Sequence, residues 1–159
     1  MSFYYQKINS LVGSIHIATD TKSLRALALD GNWEKVQKRL PHMIEKAHPI
    51  LDKAKKQLDE YFEQKRRIFK LPIYFEGTEF EILAWNALLK IPYGETRSYL
   101  DQAKIINNPK AVRAIGRANG NNLISIIIPC HRVIGKSGKL TGFASGLDDK
   151  RFLLELEGC

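Results

Sequence analysis

The sequence predicts an α+β protein, with an N-terminal α/β domain on a small antiparallel sheet and a mostly helical C-terminal domain containing a helix-turn-helix. Three observations carry this reading. Short runs of apolar and β-branched residues, separated by turn residues, fill positions 4 to 29. From Thr78 onward, apolar residues recur at helical spacing. The break at Asn107-Asn108-Pro109 separates two of those helical segments by a tight turn.

Tyr4 to Ile8, Ser14 to Thr19 and Leu24 to Leu29 read as strands, and Ile15, Ile17 and Thr19 alternate with Ser14, His16 and Ala18 as on a half-buried sheet. Trp33 to Leu40 reads as a short helix stopped by Pro41. Pro49 to Arg67 reads as a longer helix, because Leu51, Ala54, Leu58, Tyr61 and Phe62 recur at three and four residues. Ile68 to Phe75 reads as a further strand, and the domain boundary falls between 1–76 and 77–159.

In the second half, Thr78 and Glu81 have capping-box spacing, with Phe80, Leu83, Trp85, Leu88 and Leu89 as the apolar set behind them. A short helix follows from Ser98 to about Ile106. A third runs from Lys110 to Asn119, with Asn108 as N-cap, Pro109 as first helical residue and Gly120 as terminator. Leu123 to Ile128 reads as a buried strand leading into Pro129-Cys130-His131-Arg132-Val133. Leu147 to Leu156 reads as a final amphipathic helix.

Hydrophobic residues make up 44% of the 159 and charged residues 26%, the balance of a globular protein. No apolar run approaches the roughly 20 residues of a membrane helix, and the N-terminus lacks a secretory pattern, so no membrane partner and a cytoplasmic location are expected. The net charge of +8 fits an anionic partner such as nucleic acid, and charge alone leaves an ordinary basic surface equally open. Two cysteines, Cys130 and Cys159, do not make a disulfide framework.

Cys130 carries the chemistry. A thiolate is the nucleophilic form of cysteine, and a neighbouring imidazole can make it available. Successive residues of a strand point to opposite faces, so contact between Cys130 and His131 requires the chain to turn there; Pro129 fits such an exit. From these residues alone, a buried cysteine beside an exposed histidine remains open.

The wider pattern resembles the O6-alkylguanine-DNA alkyltransferase family. It runs from Pro92-Tyr93-Gly94-Glu95-Thr96-Arg97-Ser98-Tyr99 through Asn108-Pro109-Lys110-Ala111-Val112-Arg113-Ala114-Ile115-Gly116 to Asn122. It continues through Ile128-Pro129-Cys130-His131-Arg132-Val133, Gly138, Thr141-Gly142-Phe143, Lys150, Leu153-Leu154 and Glu157-Gly158. The resemblance implies a ribonuclease-H-like N-terminal domain and a winged-helix-like C-terminal one. It also implies single-turnover transfer of an alkyl group from O6 of guanine, and from O4 of thymine, to Cys130. The implied partner is double-stranded DNA containing O6-alkylguanine, bound by a monomer.

The same resemblance assigns roles. His131, bridged by water to Glu157, would be the base; Asn122 would organise the segment around the thiol. Tyr99 would donate to N3 of the extruded guanine. Arg113 would fill the stack that the base has left, because an enzyme must flip a base to reach its paired edge. Val133, Phe143, Ala144 and Ser145 would line the substrate pocket; Thr96, Ser98, Ala111, Ala114, Gly116 and Arg117 would face DNA. The helix of Arg113 would enter the minor groove, where little sequence can be read.

Two departures qualify the match. Phe143 stands where tyrosine is frequent in the family, and the small Ala144 and Ser145 suggest a roomier pocket that accepts larger alkyl groups. Some members carry zinc in the N-terminal half, but His16, His42 and His48 match no zinc spacing, so neither metal nor cofactor is expected. The competing readings are a lesion-binding protein without transfer activity, a helix-turn-helix regulator and a Cys-His hydrolase.

Overall fold

A computed structural model describes residues 2–29, 31–143 and 146–159. The chain forms two compact units, Met1–Phe75 and Glu76–Cys159.

In the first unit β1 (Tyr4–Ser10), β2 (Gly13–Thr19) and β3 (Leu24–Ala28) form an antiparallel meander, and the short β4 (Ile44–Glu45) adds in parallel beside β1, giving the order β3-β2-β1-β4. The alternation expected of β2 holds only at its start, since Ile17, Ala18 and Thr19 are all buried; β3 is buried along its whole length. β4 was not anticipated, because two exposed residues leave no periodic signal. The helix α1 spans Trp33–Arg39.

Helix α2 (Pro49–Phe62) stops five residues before the predicted Arg67. Gln64 adopts φ +62°, and the N–H groups of Gln64 and Lys65 return to the carbonyls of Tyr61 and Glu60. This left-handed cap closes the helix without a glycine. The strand expected at Ile68 to Phe75 is instead an irregular extended segment touching β3 at a single Leu24–Ile73 bridge. Pro72 lies within it and has no N–H to donate. The Gln57 side chain holds this segment from α2, accepting from Lys70 N at 2.8 Å and donating to Lys70 O at 3.0 Å.

In the second unit, α3 (Glu79–Leu88) opens with the predicted Thr78–Glu81 capping box. Its inner face is Ala84, Trp85, Ala87 and Leu88, whereas Leu83 and Leu89, expected inside, are exposed. Strand β5 (Arg97–Ser98) leads into α4 (Tyr99–Ile105), capped reciprocally by Ser98 and Asp101. Helix α5 (Val112–Gly120) starts later than predicted. Asn108–Ala111 is spent on a tight turn, closed by Ala111 N on Asn108 O at 3.0 Å, and Gly120 is the last helical residue rather than the terminator.

A shared core of Ala84, Ala103, Ile115 and Ala118 packs α3, α4 and α5 together. Gln102 of α4, wholly buried, donates to Ala84 O and exchanges hydrogen bonds with the Asn119 amide of α5. Trp85 Nε1 donates to Ala118 O at 2.8 Å. These bonds fix the helix-turn-helix. Strand β6 (Val133–Ile134) pairs in parallel with β5, and α6 (Leu147–Leu156) follows.

The predicted strand at Leu123 to Ile128 is a compact turn. Ile127 N bonds to Ser125 O, Ile128 N bonds to Ile124 O, and Ile126 adopts φ +71°. A β-branched residue in the left-handed region is strained, and surrounding structure must hold it there. The apolar run was read for burial correctly and for shape wrongly: Ile124, Ile126 and Ile128 are all buried.

Candidate active site

The turn at Leu123 to Ile128 delivers the chain into a 3-10 turn, Cys130–Arg132, which follows Pro129 directly. This is the bend required at that point, and all three of its side chains are buried. Cys130 retains 8% of its surface; His131 retains none.

Asn122 sits behind the thiol. Its Nδ2 donates to Ile128 O at 2.9 Å and to Cys130 Sγ at 3.3 Å, while its Oδ1 accepts from Ile124 N at 2.9 Å. One amide thereby ties the turn to the sulfur. Burial raises the Cys130 pKa, and the opposing influences are the Asn122 bond, the charge of Lys150 and backbone N–H groups of the turn. The sulfur is therefore a neutral thiol at rest, with donors in place for its ionised form.

His131 meets Glu157 directly, Nε2 to Oε2 at 2.7 Å, with both side chains fully shielded. The water expected between them has no room at that distance. A carboxylate can only accept, so Nε2 carries the proton and Nδ1 presents a lone pair. Nδ1 is buried and has no hydrogen-bond partner among the described residues. Burial also lowers the His131 pKa, against the pull of Glu157, so the imidazole is neutral.

Arg132, quoted in the sequence motif but given no role there, completes this group. Nε donates to Glu157 Oε1 at 2.7 Å, Nη2 to Oε2 at 3.2 Å and Nη1 to Ile91 O at 2.7 Å. Glu157 is the residue that caps the C-terminal end of α6. It is thus held by a fork of donors on one side and an imidazole on the other.

Lys150 is the second residue whose place could not be read from sequence. It is fully buried on α6, and its Nζ donates to Val133 O at 2.6 Å and Thr141 O at 2.8 Å. Burial brings its pKa from 10.5 down to about 8. Thr141 O also accepts from the Tyr99 hydroxyl at 3.0 Å, and the Lys150 ammonium lies 5.9 Å from the Tyr99 ring.

The other candidates divide. Val133 is fully buried, and its carbonyl accepts from Lys150 Nζ. Phe143 is half-buried; Ala144 and Ser145 lie outside the described residues. Arg113, Gly116 and Arg117 form one exposed stripe of α5, flanked by half-buried Ala111 and Ala114. A Cβ added at Gly116 would meet nothing within 4 Å, so internal packing does not require glycine there. Thr96 is half-buried, and the Ser98 hydroxyl is occupied as the α4 cap.

Comparison with known proteins agrees with this geometry. Residues 3–81 match the model of the 6-O-methylguanine DNA methyltransferase ribonuclease-like domain, and residues 79–159 match the DNA binding domain of the same family. The chain is 48% identical over 155 residues to the methylated-DNA–protein-cysteine methyltransferase of Methanosarcina acetivorans, covering 98% of each. It is 43% identical to the constitutive enzyme of Bacillus subtilis, covering 97% of this chain and 94% of that one. Among solved structures, Mycobacterium tuberculosis OGT in complex with DNA superposes with a TM-score of 0.88 at 43% identity, over 97% of this chain and 92% of that one. With both halves matched in order and a buried Cys-His-Glu group at the expected positions, the chain belongs to the 6-O-methylguanine DNA methyltransferase family.

Proposed function

We propose that this chain repairs alkylated DNA by direct reversal, moving the alkyl group from O6 of guanine, and from O4 of thymine, to Cys130. Residues 77–159 carry the reaction and the DNA contact, and the chain works as a monomer on double-stranded DNA. The inferred compartment is the cytoplasm, where an acceptor thiol stays reduced. The observation that carries the reading is the alignment of buried groups behind one thiol: Asn122 bonded to Sγ, and His131 bonded to Glu157.

The chemistry follows from these groups. Neutral thiol and neutral imidazole rest side by side in the chain. His131 takes the Sγ proton on Nδ1, while Nε2–H remains on Glu157, so the new imidazolium sits against a carboxylate. The thiolate attacks the alkyl carbon. The C–S bond forms, the C–O6 bond breaks and its electron pair leaves on the purine. A Tyr99 hydroxyl donated at N3 stabilises that charge. Because the thioether has no route back, each molecule acts once.

Reaching O6 requires the base to leave the duplex, at a cost of about a few kcal/mol. Arg113 is suited to fill the gap, since it is exposed on α5 beside Gly116, where the helix carries no side chain to hold a narrow groove away. A pure lesion-binding role is disfavoured, because binding alone gives no use to the Cys130–His131–Glu157 group.

Intact-mass measurement after incubation with a duplex bearing O6-methylguanine tests the proposal. One methyl group per molecule is expected, with no gain for Cys130→Ser. Multiple turnovers at substrate excess, or methyl transfer that survives Cys130→Ser, would overturn it.

A further inference from the structure

Lys150 is buried and cationic, and beyond its charge near Cys130 the transfer steps above give its hydrogen bonds no use. Among the described residues no carboxylate pairs with it; its hydrogen bonds go to two carbonyls, Val133 O and Thr141 O. Lysine is rarely fully buried without an ion-pair partner, and the fold gains no apolar packing from an ammonium. A purely structural clamp could be made by a neutral donor. The question is what this position needs from a strong one.

The answer lies in the Thr141 carbonyl. Its two lone pairs are both in use, one by Lys150 Nζ at 2.8 Å and one by the Tyr99 hydroxyl at 3.0 Å. Tyr99 has a single proton. In the resting protein that proton is committed to Thr141, and it cannot serve a purine at the same time. If the hydroxyl turned away with no other donor present, the partly buried carbonyl would be left without a partner, which opposes the turn. With Lys150 in place the carbonyl keeps a charge-assisted bond throughout. The Thr141 hydroxyl completes the arrangement, donating to the Tyr99 oxygen at 3.3 Å, so Tyr99 stays held by its oxygen when its proton points elsewhere.

We propose that Lys150 is a positioning residue for the transfer: it keeps the Thr141 carbonyl bonded while the Tyr99 hydroxyl turns from that carbonyl to the departing purine. The inference rests on the reading of Tyr99 as donor to the leaving group, and it acts through Tyr99 rather than on substrate. The other end of the ammonium, on Val133 O, anchors the clamp to the residue that follows the Cys130–Arg132 turn. The handover is thereby registered to the segment that carries the nucleophile.

A double-mutant cycle on the full chain tests this. Single-turnover rates of methyl transfer from an O6-methylguanine duplex are measured for the wild type, Tyr99→Phe, Lys150→Gln and the double variant. Tyr99→Phe is expected to slow transfer about tenfold or more, as for loss of one proton donor. Lys150→Gln is expected to cost about tenfold in the wild-type background and less than about threefold once Tyr99 is phenylalanine. The same cycle with Lys150→Met, which removes donors and charge together, gives an independent reading, and thermal melts accompany each protein.

Losses that multiply across the cycle would overturn the handover, as would failure of both Lys150 variants to fold, which would make the residue structural. A Tyr99→Phe rate equal to wild type would overturn it by removing the donor role of Tyr99. None of these outcomes touches Cys130 as acceptor; absence of any methyl gain by the wild type would instead sink the underlying reading.

Discussion

The imidazole of His131 lies 2.7 Å from the carboxylate of Glu157, and neither side chain is exposed to solvent. Arg132 supplies two further donors to that carboxylate, and the Gly94 N–H approaches Oε1 at 3.4 Å. Glu157 therefore has two dependants, one chemical and one structural, and removing its charge affects both. Glu157→Gln leaves the Arg132 guanidinium buried without a counter-charge, which costs about 3–5 kcal/mol of stability when one partner of a buried pair is lost. It also leaves nothing to balance an imidazolium. Transfer is expected to slow about a hundredfold, with the stability loss read from urea unfolding and the rate from single-turnover kinetics at a temperature where the variant is folded. A variant as stable and as fast as the wild type would contradict the arrangement.

Lys150 makes stability depend on pH with a definite sign. Its pKa falls from 10.5 in the unfolded chain to about 8 in the fold. Between those values the unfolded chain binds a proton that the folded chain lacks, so stability attributable to this group rises with pH. The cost of burying the charged amine is fully present below about 8 and is relieved above it. Relative to Lys150→Met, the wild type should therefore gain up to about 3 kcal/mol between neutral and strongly alkaline pH. Urea midpoints of the two proteins at about pH 7 and about pH 10 check this, and a difference that stays constant refutes it.

Gly116 separates folding from DNA engagement. A methyl group there meets open space, and alanine is the better helix former by about 1 kcal/mol, so Gly116→Ala should raise the melting temperature. A bulkier Gly116→Leu should slow transfer from duplex DNA at least about tenfold while leaving transfer from free O6-benzylguanine within about twofold of wild type. Arg113→Ala should show the same selectivity. Equal losses on both substrates would place these residues in the fold rather than at the DNA.

The Gln102–Asn119 amide pair holds α4 to α5 from inside. Gln102→Met keeps the volume and removes every donor, leaving Ala84 O and the Asn119 amide without these partners. A loss of about 1–3 kcal/mol in urea unfolding is expected, with the midpoint falling and the slope unchanged. No change in midpoint would mean that the pair is replaced by water.

How much of this was legible in the sequence depends on what each signal encodes. The capping box at Thr78 and Glu81 predicted its helix because both partners are local, three residues apart. The strands of the meander were legible for the same reason, bounded by turn residues on both sides. The run from Leu123 to Ile128 was not, because burial alone makes a segment apolar and leaves its path open; nothing in isoleucine announces φ +71°. Cys130, His131, Asn122 and Glu157 were found through a family pattern, and their spacing alone left an unrelated cysteine and histidine open. Arg132 and Lys150 were quoted in that pattern without roles, since a cation in sequence reads as surface charge until its burial is known. Asn108 and Pro109 carried good helix-start chemistry, but the tight turn needed those residues first, and the helix began at Val112.

The base of the transfer group and the carboxylate behind it enter from opposite sides of the stretch that joins Thr141 to α6. His131 is fixed by the turn before it, Glu157 by the helix after it, and the bond between them does not pass through it. The bond between His131 and Glu157 is therefore set by the two segments that flank the stretch and not by its length.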